Sequence, residues 1–537
     1  MILPRRFLRT CRNALFRAKV ADSSGQELSG GQLLLRTLLA KRWLEHTVGA
    51  DEKYVGILLP PSIGAVIANA ALSLARRVPV NLNYTLPAAT INTCVAQAQI
   101  RHVVTSRLFL SKLKLKIDAD VIFLEDLPKT VSLYDEMIAA IQAYAVPVSI
   151  LERLLGLLEV LPGDLMAIIF TSGTTGDPKG VMLSHDNVGS NIDAAAQLFQ
   201  FRETDTVLGA LPFFHSFGFT GGLWLVLALP LRGVYHYSPL DAGMIGTLCQ
   251  QHRVTIMLAA PTFLRLYLRR CQPEQFKSLE LVVLGAEKMP LELAQAFQQK
   301  FGVRPFEAYG TTELSPMAAI NVPALRSTAG AVSGEKEGTV GRAIPGTRAR
   351  ILDLDTNVER GTNEPGMLLI QGPNVMLGYL NKPEKTAEVI RDGWYITGDI
   401  ARMDNEGFIT IVDRATRFSK IGGEMVPHLK VEECLNQVFM ADSADMENLQ
   451  VAVTAVSDPK HGERLVVLHR ASNIPTDQIL AQLATMGLPN LWIPRRDSFV
   501  QVLEIPILGS GKVDLRRVKE IALQEVASQM TNPAADA

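Results

Sequence analysis

The segment Phe170-Thr171-Ser172-Gly173-Thr174-Thr175-Gly176-Asp177-Pro178-Lys179-Gly180 is the sharpest chemical feature of this sequence. Between positions 171 and 180, four hydroxyl side chains and three glycines stand beside one lysine. Hydroxyls and glycine amides supply convergent donors, and the ammonium adds a point charge. Polyphosphate oxygens require that combination. The segment directly follows the apolar run LMAIIF at 165–170, which places it where a buried strand opens into a loop. A Walker A loop, G-x-x-x-x-G-K-[ST], is the nearest alternative and fails twice. Pro178 stands where its second glycine belongs, and Gly180 follows the lysine where a hydroxyl is needed. The plainer reading is a flexible surface loop, and the density of donors after a strand speaks against it.

A loop of this kind needs a large scaffold. The chain has 537 residues, which at about 150 per domain implies three to four folding units. Hydrophobic residues make up 47% and charged residues 20%, a globular composition that is too apolar for disorder. From about 55 to 309, short apolar runs alternate with helical segments. LMAIIF, TIMLAA (255–260) and LVVLGA (281–286) show no polar alternation, as in parallel strands covered on both faces. From about 338 to 413 short strands are separated by Gly, Pro, Asn and Asp turns, which suits a small antiparallel or barrel-like subdomain. A glycine pair, Gly422-Gly423, then precedes a mixed tail of about 120 residues. The expected class is α/β. A large N-terminal domain, 1–415, would hold parallel-rich sheets covered by helices plus the barrel-like piece. A smaller α/β C-terminal domain would span 416–537.

The charge balance is 53 basic to 54 acidic residues, a net of -1. It argues against bulk capture of nucleic acid or an anionic membrane as the main activity. Five cysteines (Cys11, Cys94, Cys249, Cys271, Cys434) are scattered and never form CxxC. That disfavours a disulfide framework or a zinc site and favours a cytoplasmic location.

Six basic residues and no acidic ones fall in the first 20 positions. No apolar core typical of a secretory signal interrupts them. Leu3, Phe7, Leu8, Cys11 and Leu15 share one helical face among arginines. That pattern suits a helix on an anionic bilayer or one packed on its own protein. The uncharged stretches 55–75 and 206–231 are long enough to span a membrane. Pro60-Pro61 splits the first, and Pro212, His215 and Pro230 interrupt the second, so both read as buried α/β core. The chain is expected to be soluble, with a peripheral membrane contact through the basic N-terminus as the open alternative.

TSGTTGDPKGVMLSH resembles the signature of the adenylate-forming (AMP-binding) superfamily, which includes acyl-CoA synthetases, luciferases and peptide-synthetase adenylation domains. LPFFHSFG (211–218), YGTTE (309–313), GMLLIQGPNVMLGYLNKPEKT (366–386), YITGD (395–399), DRATRFSKIGGEMV (413–426) and ILGSGKVD (507–514) follow in the family's order. The resemblance covers about 20 to 519. It implies attack of a carboxylate on the α-phosphate of ATP, release of pyrophosphate, and displacement of AMP by a thiol. It also implies these roles. Thr171, Ser172, Gly173, Thr174, Thr175, Gly176 and Lys179 would hold the β- and γ-phosphates. Tyr309 would face adenine, with Gly310, Thr311 and Thr312 near the α-phosphate and Glu313 binding magnesium. Gly285, Ala286 and Glu287 would line the adenine pocket, Glu287 alternatively being a helix-start charge. Asp399 would hold the ribose, assisted by Arg414. Lys512 would touch carboxylate and α-phosphate together.

His215, among Phe213, Phe214 and Phe217, resembles the gate near the acyl site; a satisfied core histidine is the alternative. Gly221-Gly222 beside Trp224 would leave a hydrocarbon channel or allow close helix packing. In this family the C-terminal domain rotates between the half-reactions. The pivot, usually Asp or Lys, is Thr416 here, a departure.

The stretches 418–433 and 488–515 resemble the acyl-acyl-carrier-protein synthetase half of bacterial 2-acylglycerophosphoethanolamine acyltransferase/acyl-ACP synthetases. PRRFLRTCRNALFRAKVADSSG resembles the start of that half, and no acyltransferase motif precedes it. The resemblance thus implies a free-standing ligase loading a fatty acid onto the phosphopantetheine thiol of acyl carrier protein. A fatty acyl-CoA synthetase is the alternative, and a catalytically silent lipid-binding or membrane scaffold the alternative of another class. Carrier proteins are acidic, so Arg495, Arg496, Arg516, Arg517 and Lys519 are candidates for a basic docking face. No nucleic-acid partner is expected.

Overall fold

The computed structural model describes residues 1–172, 177–328, 334–354, 356–421, 424–442, 450–458, 462–507 and 513–531. The class is α/β, as the buried apolar runs imply. A seven-stranded sheet carries, in spatial order, Gly378–Tyr379, Pro178–Ser184, Leu165–Ser172, Val78–Asn81, Tyr54–Ile57, His102–Thr105 and Asp120–Phe123. Pairing is parallel from Leu165–Ser172 to Asp120–Phe123. It turns antiparallel where Leu165–Ser172 meets Pro178–Ser184. The strand read as LMAIIF therefore runs two residues further, to Ser172, because its hairpin partner pairs with it to the mouth of the loop.

A nine-stranded sheet holds the other two apolar runs, Ile256–Ala259 and Leu281–Leu284, at its centre. All four residues of each strand are buried, as expected of strands with helices on both faces. The stretch 55–75 divides at its prolines into the strand Tyr54–Ile57 and the helix Ile63–Leu74. In 206–231 a strand, Thr206–Gly209, precedes a π-helical turn, Gly218–Trp224. No described helix is long and apolar enough to cross a membrane. At Gly221 an added Cβ would lie 2.7 Å from Leu258 Cδ1, so close packing fills the space there.

The N-terminal helix, Leu3–Asn13, turns its apolar side into its own protein: Leu3, Phe7, Leu8 and Cys11 are fully buried. Arg5 and Arg9 donate to the buried carboxylate of Glu152 at 2.9 and 2.8 Å. Lys19 follows, with its Nζ donating to the carbonyls of Val226, Leu229 and Leu231. The apolar face read as able to meet a bilayer is thus occupied by packing.

Asp205 and Arg326 form a buried fork, Nη1 to Oδ2 at 2.9 Å and Nη2 to Oδ1 at 2.7 Å. Burial works against the Asp205 carboxylate, but Arg326, the Arg202 amide and the Thr255 hydroxyl together hold the carboxyl below its usual range. The contribution is therefore complete at neutral pH and is lost only as acid protonates the folded carboxyl. Asp205→Ala strands a buried guanidinium and is expected to cost about 3 kcal/mol in urea unfolding. A loss within experimental error would show that Glu280, 2.9 Å from Arg326, compensates fully.

Short strands fall between turns from 348 onward, including the hairpin Ile390–Arg391 with Trp394 and Tyr395. The chain divides into two compact units. One comprises 1–350, 369–397 and 403–410; the other comprises 351–368, 398–402 and 411–537. In the second unit a sheet of Glu424–Pro427, Phe418–Ile421, Gly462–His469 and Val451–Asp458 has Phe499–Gln501 beside Gly462–His469. The two-residue period of its strands sends Val453 and Val467 to one core and Ala452, Val466 and Leu468 to another.

Candidate active site

The antiparallel hairpin fixes both ends of the phosphate-type loop. Thr171 stands opposite Lys179 and Ser172 opposite Pro178. Gly173, Thr174, Thr175, Gly176 and the Ser172 side chain lie outside the described residues. Lys382 Nζ donates to the Pro178 carbonyl at 3.1 Å, anchoring the returning strand.

A second loop begins at the end of Phe306–Gly310. An added Cβ at Gly310 would sit 1.8 Å from the Pro316 oxygen, so only glycine fits. Thr311 Oγ1 is buried with no hydrogen-bond partner among the described residues. A buried hydroxyl left in that state is a group that a bound oxygen could satisfy. Thr312 Oγ1 lies 3.3 Å from Ser216 Oγ. The segment carrying His215 and the segment carrying Glu313 therefore meet.

One tyrosine joins the two loops. Tyr379 Oη donates to Glu313 Oε1 at 2.8 Å, and Lys179 Nζ lies 5.0 Å from the centre of the same ring. Burial, and then the Glu313 carboxylate, push the Tyr379 phenol above its usual range. It therefore stays a neutral donor that orients the carboxylate. Tyr379 reaches this place because Gly378–Tyr379 adds antiparallel to Pro178–Ser184, Tyr379 opposite Val181.

The helix His185–Leu198 holds both loops in register. Ser184 and Asn187 form its capping box, at 3.1 and 2.8 Å. The Asn187 amide also donates to the carbonyls of Pro373 and Val375 at 2.8 and 2.7 Å. One turn on, Asn191 donates to the Leu314 carbonyl at 3.1 Å and accepts from Met317 N at 2.8 Å. Asn374 closes the set, donating to the Met317 carbonyl at 3.0 Å and accepting through its own carbonyl from Ser315 Oγ at 2.9 Å. These buried amides satisfy loop carbonyls that would otherwise be orphaned, which makes the loops rigid.

Gly285 packs against Phe217, whose ring would be 3.2 Å from an added Cβ. Ala286 takes φ +72°, a left-handed turn uncommon for alanine. Glu287 accepts from Thr262 N at 3.3 Å and from Thr262 Oγ1 at 2.7 Å, at the start of the helix Pro261–Arg270. Its carboxylate thus accepts from the first turn of a helix other than the one that follows it in the chain. His215 Nδ1 accepts from Phe217 N at 3.4 Å.

In the second unit, buried Asp399 has Arg414 beside it, Nε to Oδ1 at 3.3 Å. Lys512, Gly422 and Gly423 lie outside the described residues, as does the Thr416 side chain. The basic residues expected to face a carrier protein all have partners in their own unit. Arg495 pairs with Asp458, Arg496 with Asp477, and Arg516 and Arg517 with Glu520, while Lys519 donates to the Ala455 carbonyl.

Among the described residues no group of three or more His, Cys, Asp or Glu could hold a metal. A lone carboxylate such as Glu313 still fits magnesium, which commonly takes one or two protein carboxylates and completes its shell with phosphate and water. The five cysteines are buried and in no disulfide. Burial pushes the thiols of Cys11 and Cys94 up to about 12. No described thiol is therefore poised as a nucleophile.

The profile of the family described as "AMP-binding enzyme" matches residues 9–380. A long-chain-fatty-acid–CoA ligase of Bacillus subtilis (strain 168) is 33% identical over 368 residues, 66% of this chain and 62% of that protein. Its counterpart in Salmonella typhimurium is 30% identical over 376 residues, 68% of this chain and 64% of that protein. The matched stretches thus span less than two thirds of either relative. The crystal structure of ATP-bound MatB from Rhodopseudomonas palustris superimposes with a TM-score of 0.78 at 25% identity, covering 96% of this chain and 98% of that one.

Proposed function

The chain belongs to the family of AMP-binding enzymes, and on that premise we propose that it activates a long-chain fatty acid with ATP and transfers the acyl group to coenzyme A. The observation that carries this reading is the convergence of Lys179 and Glu313 on Tyr379. A cation suited to phosphate and a carboxylate suited to magnesium share one rigid support.

In the first half-reaction a carboxylate oxygen of the acid bonds to the α-phosphorus and the bond to the bridging oxygen of pyrophosphate breaks. Thr171, Ser172, Lys179 and the loop 173–176 hold the departing phosphates. Thr311 and Thr312 donate near the α-phosphate, and Glu313 offers an oxygen to magnesium. That ion, when bound, neutralises charge on the phosphate oxygens. Asp399 with Arg414 engages the ribose, and Lys512 draws the carboxylate and α-phosphate together. Tyr309, Gly285 and Ala286 line the adenine side, and His215 borders the acyl group. In the second half-reaction a thiol sulfur bonds to the acyl carbon and AMP leaves.

The two relatives are named as CoA ligases, which supports coenzyme A as the acceptor. A thioester assay comparing coenzyme A with holo-acyl carrier protein is expected to give the higher kcat/KM with coenzyme A. The opposite ranking would return the assignment to carrier protein.

Tyr379→Phe keeps the ring under Lys179 and removes the hydroxyl that orients Glu313. A hydrogen bond to a charged group contributes about 1.5–3 kcal/mol, so a loss of about ten- to a hundredfold in adenylation is expected. Raised magnesium should partly restore the rate. A rate equal to wild type would show that the hydroxyl does not act through Glu313.

A further inference from the structure

A cavity of about 290 Å³ lies at the end of the seven-stranded sheet opposite the phosphate-type loop. Leu165, the first residue of Leu165–Ser172, forms part of its wall. The parallel neighbour Val78–Asn81 begins at the same edge, and Ser73, Arg76 and Arg77 line the cavity just before it. Ser184 stands opposite Leu165, which brings His185 to the wall as well. Seven residue steps of about 3.3 Å put this edge roughly 23 Å from Ser172. The cavity is therefore separate from the cluster of Lys179, Tyr379 and Glu313.

Two wall residues carry a buried polar atom with no hydrogen-bond partner among the described residues, Ser73 Oγ and His185 Nδ1. Each of these residues is 6% exposed. A buried polar group left unpaired costs about 1–3 kcal/mol, so the two atoms call for a bound partner. The charged groups of the wall do not select that partner, because they are engaged. Arg76 pairs with Glu159, Arg77 donates to the carbonyls of Glu52 and Val48, and Asp164 accepts from Leu161 N at 2.9 Å. The wall's two guanidinium groups and two carboxylates also cancel in charge.

Burial lowers His185 to about 4, so its ring is neutral at pH 7. A neutral imidazole nitrogen either donates or accepts, and a serine hydroxyl does both. Ionised carboxylates only accept and ammonium groups only donate. A hydroxyl complements both orphaned atoms whichever tautomer His185 adopts. At ~30 Å³ per molecule the space would take about ten waters, more than two polar atoms can order. An uncharged molecule with several hydroxyls fills it and satisfies both atoms together.

We infer that this cavity binds a small uncharged polyol whose hydroxyls engage Ser73 Oγ and His185 Nδ1. Glycerol, a pentose and a hexose share that chemistry, and separate titrations distinguish them. The inference is independent of the ligase reading, and its test needs neither ATP nor fatty acid.

The test is a chemical-shift titration of the full chain labelled with 15N-histidine, using glycerol, D-ribose and D-glucose in turn. Glycine and inorganic phosphate serve as the charged comparisons. The ring nitrogens of His185, assigned by the loss of their signals in His185→Phe, should shift saturably with at least one polyol. They should not respond to glycine or phosphate. Ser73→Ala should weaken polyol binding by about two- to tenfold, the effect of one neutral hydrogen bond. Its thermal unfolding should be unchanged or raised, because the variant deletes an unpaired buried hydroxyl. No saturable shift with any of the three polyols overturns the inference and leaves a cavity that holds only water. Polyol binding that Ser73→Ala leaves unchanged also overturns it. So does a stronger response of His185 to phosphate or glycine, which assigns the cavity to a charged ligand.

Discussion

Lys512→Ala is expected to abolish acyl-adenylate formation while thioester formation from a supplied acyl-adenylate stays near the wild-type rate. As the carboxylate attacks, negative charge builds on the α-phosphate oxygens during the first half-reaction only, so a cation placed there stabilises that transition state selectively. At about 4 Å and an effective dielectric near 20, one such charge contributes roughly 4 kcal/mol before desolvation. That corresponds to about a thousandfold in rate. Single-turnover assays of each half-reaction separate the two. Equal loss in both would assign Lys512 a structural role.

Glu313→Gln is expected to lower adenylation by about a hundredfold or more, a loss typical of removing one electrostatic group from a reacting site. The amide keeps the size of the carboxylate and can still accept from Tyr379, whose bond to Oε1 is 2.8 Å. The substitution therefore removes charge and little else. Because magnesium favours anionic oxygen ligands, the apparent magnesium requirement should rise in parallel. A variant within threefold of wild type would mean that Glu313 is a loop carboxylate and that another group carries the metal.

Local chemistry was legible in the sequence wherever it depended on neighbours in the chain. The buried runs became buried strands because an uninterrupted apolar tetrad has nowhere else to go. Thr171 and Lys179 were visible as one cluster because a hairpin pairs them directly. Tyr379 lay within a recognised block, yet its bond to Glu313 depends on a two-residue strand pairing with Pro178–Ser184. No local pattern announces so short a pairing at so great a separation. Asn191 and Asn374 carry no sequence signal for a similar reason. Buried asparagines are identified by the carbonyls they satisfy, and those belong to other segments.

Thr262, whose hydroxyl donates to Glu287, lies 25 residues away, and no local pattern announces that contact. The basic N-terminal helix was ambiguous on the same physical ground. Its apolar stripe suits a bilayer or a protein equally, and only the neighbouring helices decide.

Exchange of radiolabelled pyrophosphate into ATP puts the central reading to its most direct trial. The purified protein should catalyse exchange only when a long-chain fatty acid and magnesium are both present, and Lys512→Ala and Glu313→Gln should both suppress it. A folded protein that binds fatty acid yet shows no acid-dependent exchange, with any carboxylic acid offered, would instead be a silent scaffold.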